Sequence, residues 1–221
     1  MAGRLAGLAP AAVGHGVTIM ASVYDLKPGF QRLLRPLLHR LAAVGITPNQ
    51  ITVAALVLSF GVGAALAWHP DARWPLLLLP AALIVRMALN ALDGMMAREF
   101  DLQSHAGTFL NELGDVLSDS ALYLPLASVS GFEPTLVVAV VLLAALSEMA
   151  GVVAIQVGAT RRYDGPMGKS DRALVFGALG LLLGLGVRAG VWVHALLGFV
   201  TTLLLITIAR RARHAVAEAT T

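Results

Sequence analysis

The sequence contains no cysteine, which excludes disulfide bonds and thiolate metal sites from its 221 residues. Charged residues are also scarce: Asp, Glu, Lys and Arg make up 13% of the chain. That fraction is roughly half of what soluble domains usually carry. Hydrophobic residues account for 57%, and the mean hydropathy is +0.78. The composition therefore favours an all-α integral membrane protein over a soluble one.

Six apolar stretches are each near the roughly 20 residues that a helix needs to cross a bilayer. They cover residues 51–68, 74–97, 107–129, 134–157, 173–187 and 191–209. We therefore predict a polytopic membrane domain of six transmembrane helices within residues 25–213. Residues 214–221 are predicted to form a C-terminal tail.

Lys and Arg are divided very unequally between the two sets of span ends. One set carries most of them, whereas the other carries only Arg73 and Arg188. The positive-inside rule then places both termini in the cytoplasm, and the small size and topology favour a bacterial inner membrane. Because the basic residues lie at span ends and not along one face, the pI of about 9.8 does not indicate nucleic-acid binding.

The region before the first span divides into two parts. Residues 1–24 are predicted to be a mobile N-terminal segment, and either Met1 or Met20 is the start. Leucines then recur at helical spacing among basic residues, at Leu33, Leu34, Leu37, Leu38 and Leu41. This pattern predicts an amphipathic helix on the cytoplasmic membrane surface, although a short helix packed on the bundle would give it too. Thr47 and Pro48 are predicted to begin the first span as N-cap and first-turn residue.

Polar side chains cluster where the second span ends and the third begins. Asn90 and Asp93 share one helix face, and Asn111 and Asp115 form a stripe on the next helix. The connector is short, so the two helices are expected to be antiparallel neighbours. Their oxygen atoms would then surround one pocket about two turns below the cytoplasmic surface. Carboxylate and amide oxygens suit Mg²⁺ or Mn²⁺.

Two explanations fit this polar cluster. Intramembrane polar residues can simply join helices by hydrogen bonds. Their number and helical spacing favour a functional site, because charged groups in a membrane are costly. Arg86, one turn from Asn90, is predicted to form a structural ion pair with Asp119 or Glu148.

Residues 90–115 resemble the signature of the CDP-alcohol phosphotransferase family, D-x2-D-G-x2-A-R-x8-G-x3-D-x3-D. Every spacing matches, through Asp93, Gly94, Ala97, Arg98, Gly107 and Asp115. Two positions depart from it, because Asn90 and Asn111 stand where the family has its first and third aspartates. The six spans and the N-terminal amphipathic helix also fit the family.

The resemblance implies an enzyme of phospholipid biosynthesis. Such enzymes move a substituted phosphate, here a phosphatidyl group, from a CDP-linked donor such as CDP-diacylglycerol to the hydroxyl of a small alcohol acceptor, and release CMP. It implies Mg²⁺ or Mn²⁺ held by Asp93, Asp115, Asn90 and Asn111, with Asp115 also the general base. The nucleotide would lie against Gly94, Ala97, Arg98 and Gly107. A homodimer in contact with membrane lipids is implied as well.

The two asparagines reduce the charge of the implied metal site. Four aspartates bring four negative charges to two divalent ions, whereas Asp93 and Asp115 bring two. We therefore expect one firmly held ion, and a second one only with substrate phosphates. Glu112 or Asp119 could supply the missing negative charge only if its side chain pointed into the metal site. Glu112 is rotated by about 100° around the helix from the face that carries Asn111 and Asp115. A relative that binds nucleotide or lipid without turnover is the alternative. A transporter is less favoured, because we find no repeated halves.

Basic residues cluster between the fourth and fifth spans, beside the expected pocket mouth. They are Arg161, Arg162, Lys169 and Arg172. One interpretation is a site for the phosphate of the acceptor or of a lipid headgroup. The other is that they only set topology and contact lipid headgroups nonspecifically. Ser170 is predicted to cap the fifth span.

Overall fold

The structure is a computed structural model that describes residues 27–220. The predicted mobile segment, 1–24, lies outside these residues. Within them all regular secondary structure is helical and there is no β-strand, which confirms the all-α prediction. The elements are α1 (Lys27–Ala43), α2 (Pro48–Trp68), α3 (Trp74–Glu99), α4 (His105–Tyr123), a 3₁₀ helix (Leu124–Ser128), α5 (Pro134–Gln156), α6 (Lys169–Gly184) and α7 (Val191–Ala219).

Four helices of the described region, α2, α3, α5 and α7, are long and apolar enough to cross a membrane. The predicted third and fifth spans correspond to the two remaining helices of the bundle. Of these, α4 carries three acidic residues, Glu112, Asp115 and Asp119, and α6 has only 16 residues. The apolar helices are those of an integral membrane protein.

Two helix starts test the predicted caps. Thr47 caps α2 as predicted: the Gln50 N–H donates to Thr47 Oγ1 at 3.4 Å, and the Thr47 N–H donates to Gln50 Oε1 at 2.9 Å. The predicted cap at Ser170 is wrong, because α6 already begins at Lys169. There the Gly168 N–H donates to Asp171 Oδ2 at 2.9 Å, so a carboxylate in the first turn satisfies the free amide.

The bundle has a large apolar core at the end of the helices that lies away from the polar cluster. In it α2 packs against α3 and α4, α3 against α6, and α5 against α7. Tyr123 stacks on Phe176 with ring centroids 4.2 Å apart, and Leu66, Leu79 and Phe176 are fully buried. This packing fixes the helices whose other ends carry the polar residues.

A smaller apolar cluster holds α1 on the bundle. Leu38 is fully buried with Ile51 of α2 and Met96 of α3, and Arg35 donates to Glu99 Oε1 at 2.9 Å. In contrast, the side chain of Leu33 is 75% exposed. One face of α1 therefore packs on the bundle, and the opposite face is not covered by any of residues 27–220.

α7 continues well beyond the predicted sixth span, which ends at residue 209. The stretch predicted as a tail, 214–221, is helical through Ala219 because its inner face has contacts to make. Ala215 is buried against Ala154 and Ala159. Glu218 accepts hydrogen bonds from the Thr160 N–H at 2.9 Å and from Arg162 Nη1 at 2.6 Å. The end of α7 thus holds the connection between α5 and α6, residues 157–168, which we call the α5–α6 loop.

Gly63 lets α2 approach α4 closely, and this contact is testable. A Cβ at Gly63 would clash with the backbone carbonyl of Ala121, whereas a Cβ at Gly61 would meet nothing within 4 Å. We expect Gly63→Ala to destabilise the protein by about 1–3 kcal/mol, because the backbone cannot yield as a side chain can. Gly61→Ala is the matched control and should leave stability unchanged or raise it slightly. Thermal midpoints in detergent compare the two variants, and equal midpoints would contradict the close packing.

Candidate active site at the polar end of the bundle

A cavity of about 930 Å³ lies where α3 ends and α4 begins. Its walls come mainly from α2, α3, α4, α6 and the α5–α6 loop, and α1, α5 and α7 contribute one residue each. All eight residues of the signature line it: Asn90, Asp93, Gly94, Ala97, Arg98, Gly107, Asn111 and Asp115. The structure therefore brings together the residues that the sequence pattern selected.

Asp93 is fixed by a residue that the sequence reasoning missed. Thr52 donates from Oγ1 to Asp93 Oδ2 at 2.9 Å, and the same hydroxyl lies 3.1 Å from the carbonyl oxygen of Pro48. Both Thr52 and Asp93 are buried. The N-terminal part of α2 therefore orients this carboxylate, and the only sequence signal was one of the two hydroxyl residues, Thr52 and Ser59, in a largely apolar span.

Asp115 is surrounded by donors from other helices. Asn90 Nδ2 donates to Asp115 Oδ1 at 3.2 Å, and the Lys169 ammonium forms an ion pair with the same oxygen. The Arg86 guanidinium is 3.7 Å from it and also donates to the Asp115 carbonyl oxygen at 3.1 Å. Side chains of α3 and α6 thus converge on one carboxylate of α4.

Glu112 and Asp119, the residues considered as compensating ligands, are both engaged by arginines. Glu112 is held bidentately by Arg161, with Nε–Oε1 2.6 Å and Nη2–Oε2 2.5 Å. Asp119 lies between Arg86 at 2.5 Å and Arg172 at 2.8 Å. The predicted pair between Arg86 and Asp119 is confirmed. Glu112 nevertheless lines the cavity with the signature residues, whereas Asp119 does not.

A buried charge network underlies the cavity. Arg172, only 1% exposed, lies 3.1 Å from Glu148 in addition to its contacts with Asp119. Arg211 of α7 lies 3.6 Å from Glu148 and also donates to the Ser147 carbonyl oxygen. The network joins α4, α5, α6 and α7, and buried charges are tolerated only when paired in this way.

The four basic residues selected from the sequence therefore fall into two groups, those that line the cavity and those that do not. Arg161 and Lys169 line the cavity. Arg172 lies beneath it in the charge network, and Arg162 pairs with Asp164 at 2.9 Å and Glu218 at 2.6 Å. The structure places only two of the four where a ligand in the cavity would reach them.

Two ionisable groups of the α5–α6 loop have shifted pKa values. Burial raises the pKa of Asp164, but the hydrogen bond and charge of Arg162 together with a backbone hydrogen bond and the charge of His214 outweigh burial, so the pKa lies below its usual value. Burial lowers the pKa of Arg161, but its hydrogen bonds to Glu112 together with the surrounding negative charge more than offset this, so the pKa is raised. Both groups therefore remain charged near neutral pH.

Comparison with known proteins decides the family. The family model described as CDP-alcohol phosphatidyltransferase matches residues 45–209, most of the chain. The chain belongs to the CDP-alcohol phosphatidyltransferase family. The inner membrane protein YnbA of Escherichia coli is 44% identical over 194 residues, which cover 87% of this chain and 95% of that protein. The resemblance stated from the signature is confirmed, and membership identifies an enzyme of the membrane phosphotransferase class in phospholipid biosynthesis.

Solved structures show that the CDP-alcohol phosphatidyltransferase fold is retained. Phosphatidylinositol phosphate synthase of Mycobacterium tuberculosis with CDP-DAG bound has a TM-score of 0.67 and 19% identity, covering 83% of this chain and 94% of that chain. The same enzyme in complex with manganese and citrate has a TM-score of 0.66 and 19% identity, covering 81% and 87%. At this identity the likeness establishes the fold.

The donor set of this CDP-alcohol phosphatidyltransferase fits one divalent ion. Among residues 27–220 no group of three or more His, Asp or Glu stands close enough together to hold a metal. The available oxygens are the carboxylates of Asp93 and Asp115 and the amides of Asn90 and Asn111. Such hard oxygens suit Mg²⁺ or Mn²⁺, with substrate phosphates or water as the remaining ligands.

Proposed function

We propose that this protein transfers a phosphatidyl group from a CDP-linked lipid, such as CDP-diacylglycerol, to the hydroxyl of a small alcohol and releases CMP. The observation that carries the proposal is that Asp93 and Asp115 line one cavity together with the signature glycines, Gly94 and Gly107. The mycobacterial synthase of the same fold binds CDP-DAG, which supports this donor.

The nucleotide is proposed to lie against the small residues of the signature. A Cβ at Gly107 would come within 2.7 Å of Asn49 Oδ1 and 2.9 Å of Ser104 Oγ. Glycine therefore lets α4 begin beside the first turn of α2 without displacing these two side chains. With Gly94 and Ala97 it leaves an uncrowded wall for the cytidine, and Arg98 lines the same part of the cavity.

In the proposed reaction the acceptor oxygen forms a bond to the lipid-bearing phosphorus of the donor. The bond from that phosphorus to the bridging oxygen of the pyrophosphate breaks, and CMP leaves with the electron pair. The acceptor proton passes to the carboxylate of Asp115. Mg²⁺ or Mn²⁺ bound by Asp93, Asp115, Asn90 and Asn111 would neutralise charge on the pyrophosphate.

Arg161 is proposed to bind a phosphate on the acceptor. Its guanidinium lines the cavity, and its Nη1 is buried without a hydrogen-bond partner among residues 27–220. Glu112 fixes the other two nitrogens, so Nη1 is presented in a defined direction. Lys169 lines the same cavity, but its ammonium contacts Asp115. A lipid headgroup offers the same phosphate chemistry as a phosphorylated acceptor.

Arg161→Met distinguishes the two sources of phosphate. If the acceptor supplies it, KM for a phosphorylated alcohol should rise about tenfold, whereas KM for its unphosphorylated analogue should not change. If a lipid headgroup supplies the phosphate, the variant should change how the reaction rate depends on anionic lipid content. It should then change the KM of neither acceptor. Arg213→Met, which removes an exposed charge at the end of α7, is the control. Steady-state kinetics in nanodiscs of defined lipid composition measure both effects.

We further propose six transmembrane helices, with α4 and α6 completing the four apolar ones. The acidic residues of α4 support this, because Asp119 is buried inside the bundle and does not face outward. Among residues 27–220, Arg73 and Arg188 are the only Lys or Arg residues at one end of the bundle, which supports cytoplasmic termini and an α1 on the cytoplasmic surface. The Escherichia coli relative is named as an inner membrane protein, which supports that location, and a homodimer is proposed from the family.

The function is tested with purified protein in nanodiscs that contain CDP-diacylglycerol. Mg²⁺ or Mn²⁺ and a panel of phosphorylated and unphosphorylated alcohols are added, and CMP release is measured together with the lipid product. Stoichiometric formation of both products with one acceptor supports the transferase. Release of CMP that requires no acceptor would indicate hydrolysis and contradict it.

A second candidate is a relative that binds nucleotide or lipid without turnover. It is favoured by Asn90 and Asn111 in the signature and by the ammonium of Lys169 on the proposed base. In this case CDP or CMP would bind, and no acceptor would give CMP release. Turnover that appears only after Asn90→Asp and Asn111→Asp would assign the loss to the missing charges.

A further inference from the structure

Asn90 changes how the two sides of the site are joined. Its Nδ2 donates to Asp115 Oδ1 at 3.2 Å, which joins α3 to α4 directly. A carboxylate at position 90 would have no hydrogen to donate there, and two like charges about 3 Å apart repel each other. An aspartate at this position therefore needs a cation between the two helices. The asparagine does not.

Lys169 places its ammonium group against the same oxygen. Its ammonium forms an ion pair with Asp115 Oδ1, and the Arg86 guanidinium is 3.7 Å away. The position of Lys169 is set by the start of α6. The preceding Gly168 N–H is bound by Asp171, and the Met167 N–H donates to Thr207 Oγ1 at 3.0 Å. These hydrogen bonds fix the start of α6, and the helix start therefore holds the ammonium beside Asp115.

We propose that Asn90 and Lys169 together replace one of the two divalent cations that a four-aspartate signature would hold. The site then takes a single divalent ion, shared by Asp93, Asp115 and the amide oxygens. The amide supplies the link between α3 and α4, and the ammonium supplies the positive charge beside Asp115. This inference rests on the site assigned under the proposed function but not on its turnover.

Counting bound Mn²⁺ tests the inference without an activity assay. Electron paramagnetic resonance of free Mn²⁺, titrated into the detergent-purified protein without nucleotide, should give one bound ion per chain. The variant Asn90→Asp/Asn111→Asp/Lys169→Met should give two. It restores both carboxylates and removes the ammonium.

A charge-matched pair isolates the role of Lys169. Lys169→Met should tighten Mn²⁺ binding roughly tenfold, because a positive charge in contact with a ligand carboxylate is removed. Lys169→Arg retains the charge and should bind Mn²⁺ as the unchanged protein does. Arg213→Met removes an exposed positive charge outside the cavity and should have no effect. If side-chain size matters, the Mn²⁺ affinities of the Met and Arg variants should change together. If charge matters, only the affinity of the Met variant should change.

Two results would overturn the inference: two ions bound by the unchanged protein, or equal Mn²⁺ affinity in Lys169→Met and Lys169→Arg. If the triple variant does not fold, as judged by size-exclusion chromatography, the ion count of the unchanged protein and the Lys169 pair decide. One bound ion without CMP release under any condition would contradict the proposed function and leave this inference standing. CMP release by a protein that binds two ions would support the proposed function and contradict this inference.

Discussion

Asp115→Asn is expected to lower the rate of CMP release by about 10²–10⁴-fold, the range attributed to a positioned general base. The asparagine keeps the shape of the side chain but neither accepts the proton nor pairs with Lys169. Asp115 is the one signature carboxylate on which side chains from both α3 and α6 converge. The rate is measured in nanodiscs at saturating donor, acceptor and Mg²⁺ or Mn²⁺.

The control for this variant is Asp71→Asn, an exposed change at the opposite end of the bundle that should leave the rate unchanged. Nucleotide affinity should fall much less than the rate, because Gly94 and Gly107 are intact. A well-folded Asp115→Asn protein that turns over at the original rate would remove Asp115 from the chemistry. The base would then have to be sought elsewhere in the cavity.

Asp119→Ala is expected to destabilise the protein by about 3–5 kcal/mol, the usual cost of removing one partner from a buried ion pair. The change leaves two guanidinium groups, those of Arg86 and Arg172, without their shared carboxylate. Their side chains are only 2% and 1% exposed, so water does not replace it. Thermal midpoints and the monodisperse fraction in detergent measure the loss.

Asp71→Ala serves as the control for the destabilisation, because the same carboxylate is removed from an exposed position. It should change stability by less than about 0.5 kcal/mol. Equal midpoints for the two alanine variants would show that the arginines find other partners. Asp119 would then be a replaceable part of the network.

The two residue pairs that carry the site were predictable because the members of each pair are close in sequence on one helix. Asn90 and Asp93 are three residues apart, and Asn111 and Asp115 are four apart, so helical geometry alone puts each pair on one face. A short connector between α3 and α4 then brings the two faces together. The cap at Thr47 is equally local, since the capping residues lie within four positions of each other.

The partners from distant helices were not predictable in this way. Thr52 reaches Asp93 across 41 positions of sequence, and Arg211 reaches Ser147 across 64. No local pattern specifies such contacts, which depend on how the helices rotate when they pack. Lys169 and Arg172 show the same limit, because they reach Asp115 and Asp119 across 54 and 53 positions of sequence.

The contact between the end of α7 and the α5–α6 loop matters for anyone who attaches a fluorescent reporter or affinity handle. Glu218 binds Thr160, the immediate neighbour of Arg161, so a fusion joined at Thr220 starts within about one helical turn of that contact. We expect a bulky fusion at this position to displace the α5–α6 loop, which orients the Arg161 guanidinium. A handle therefore needs a flexible spacer of Gly and Ser before it, so that acceptor kinetics measured on the tagged protein describe the untagged one.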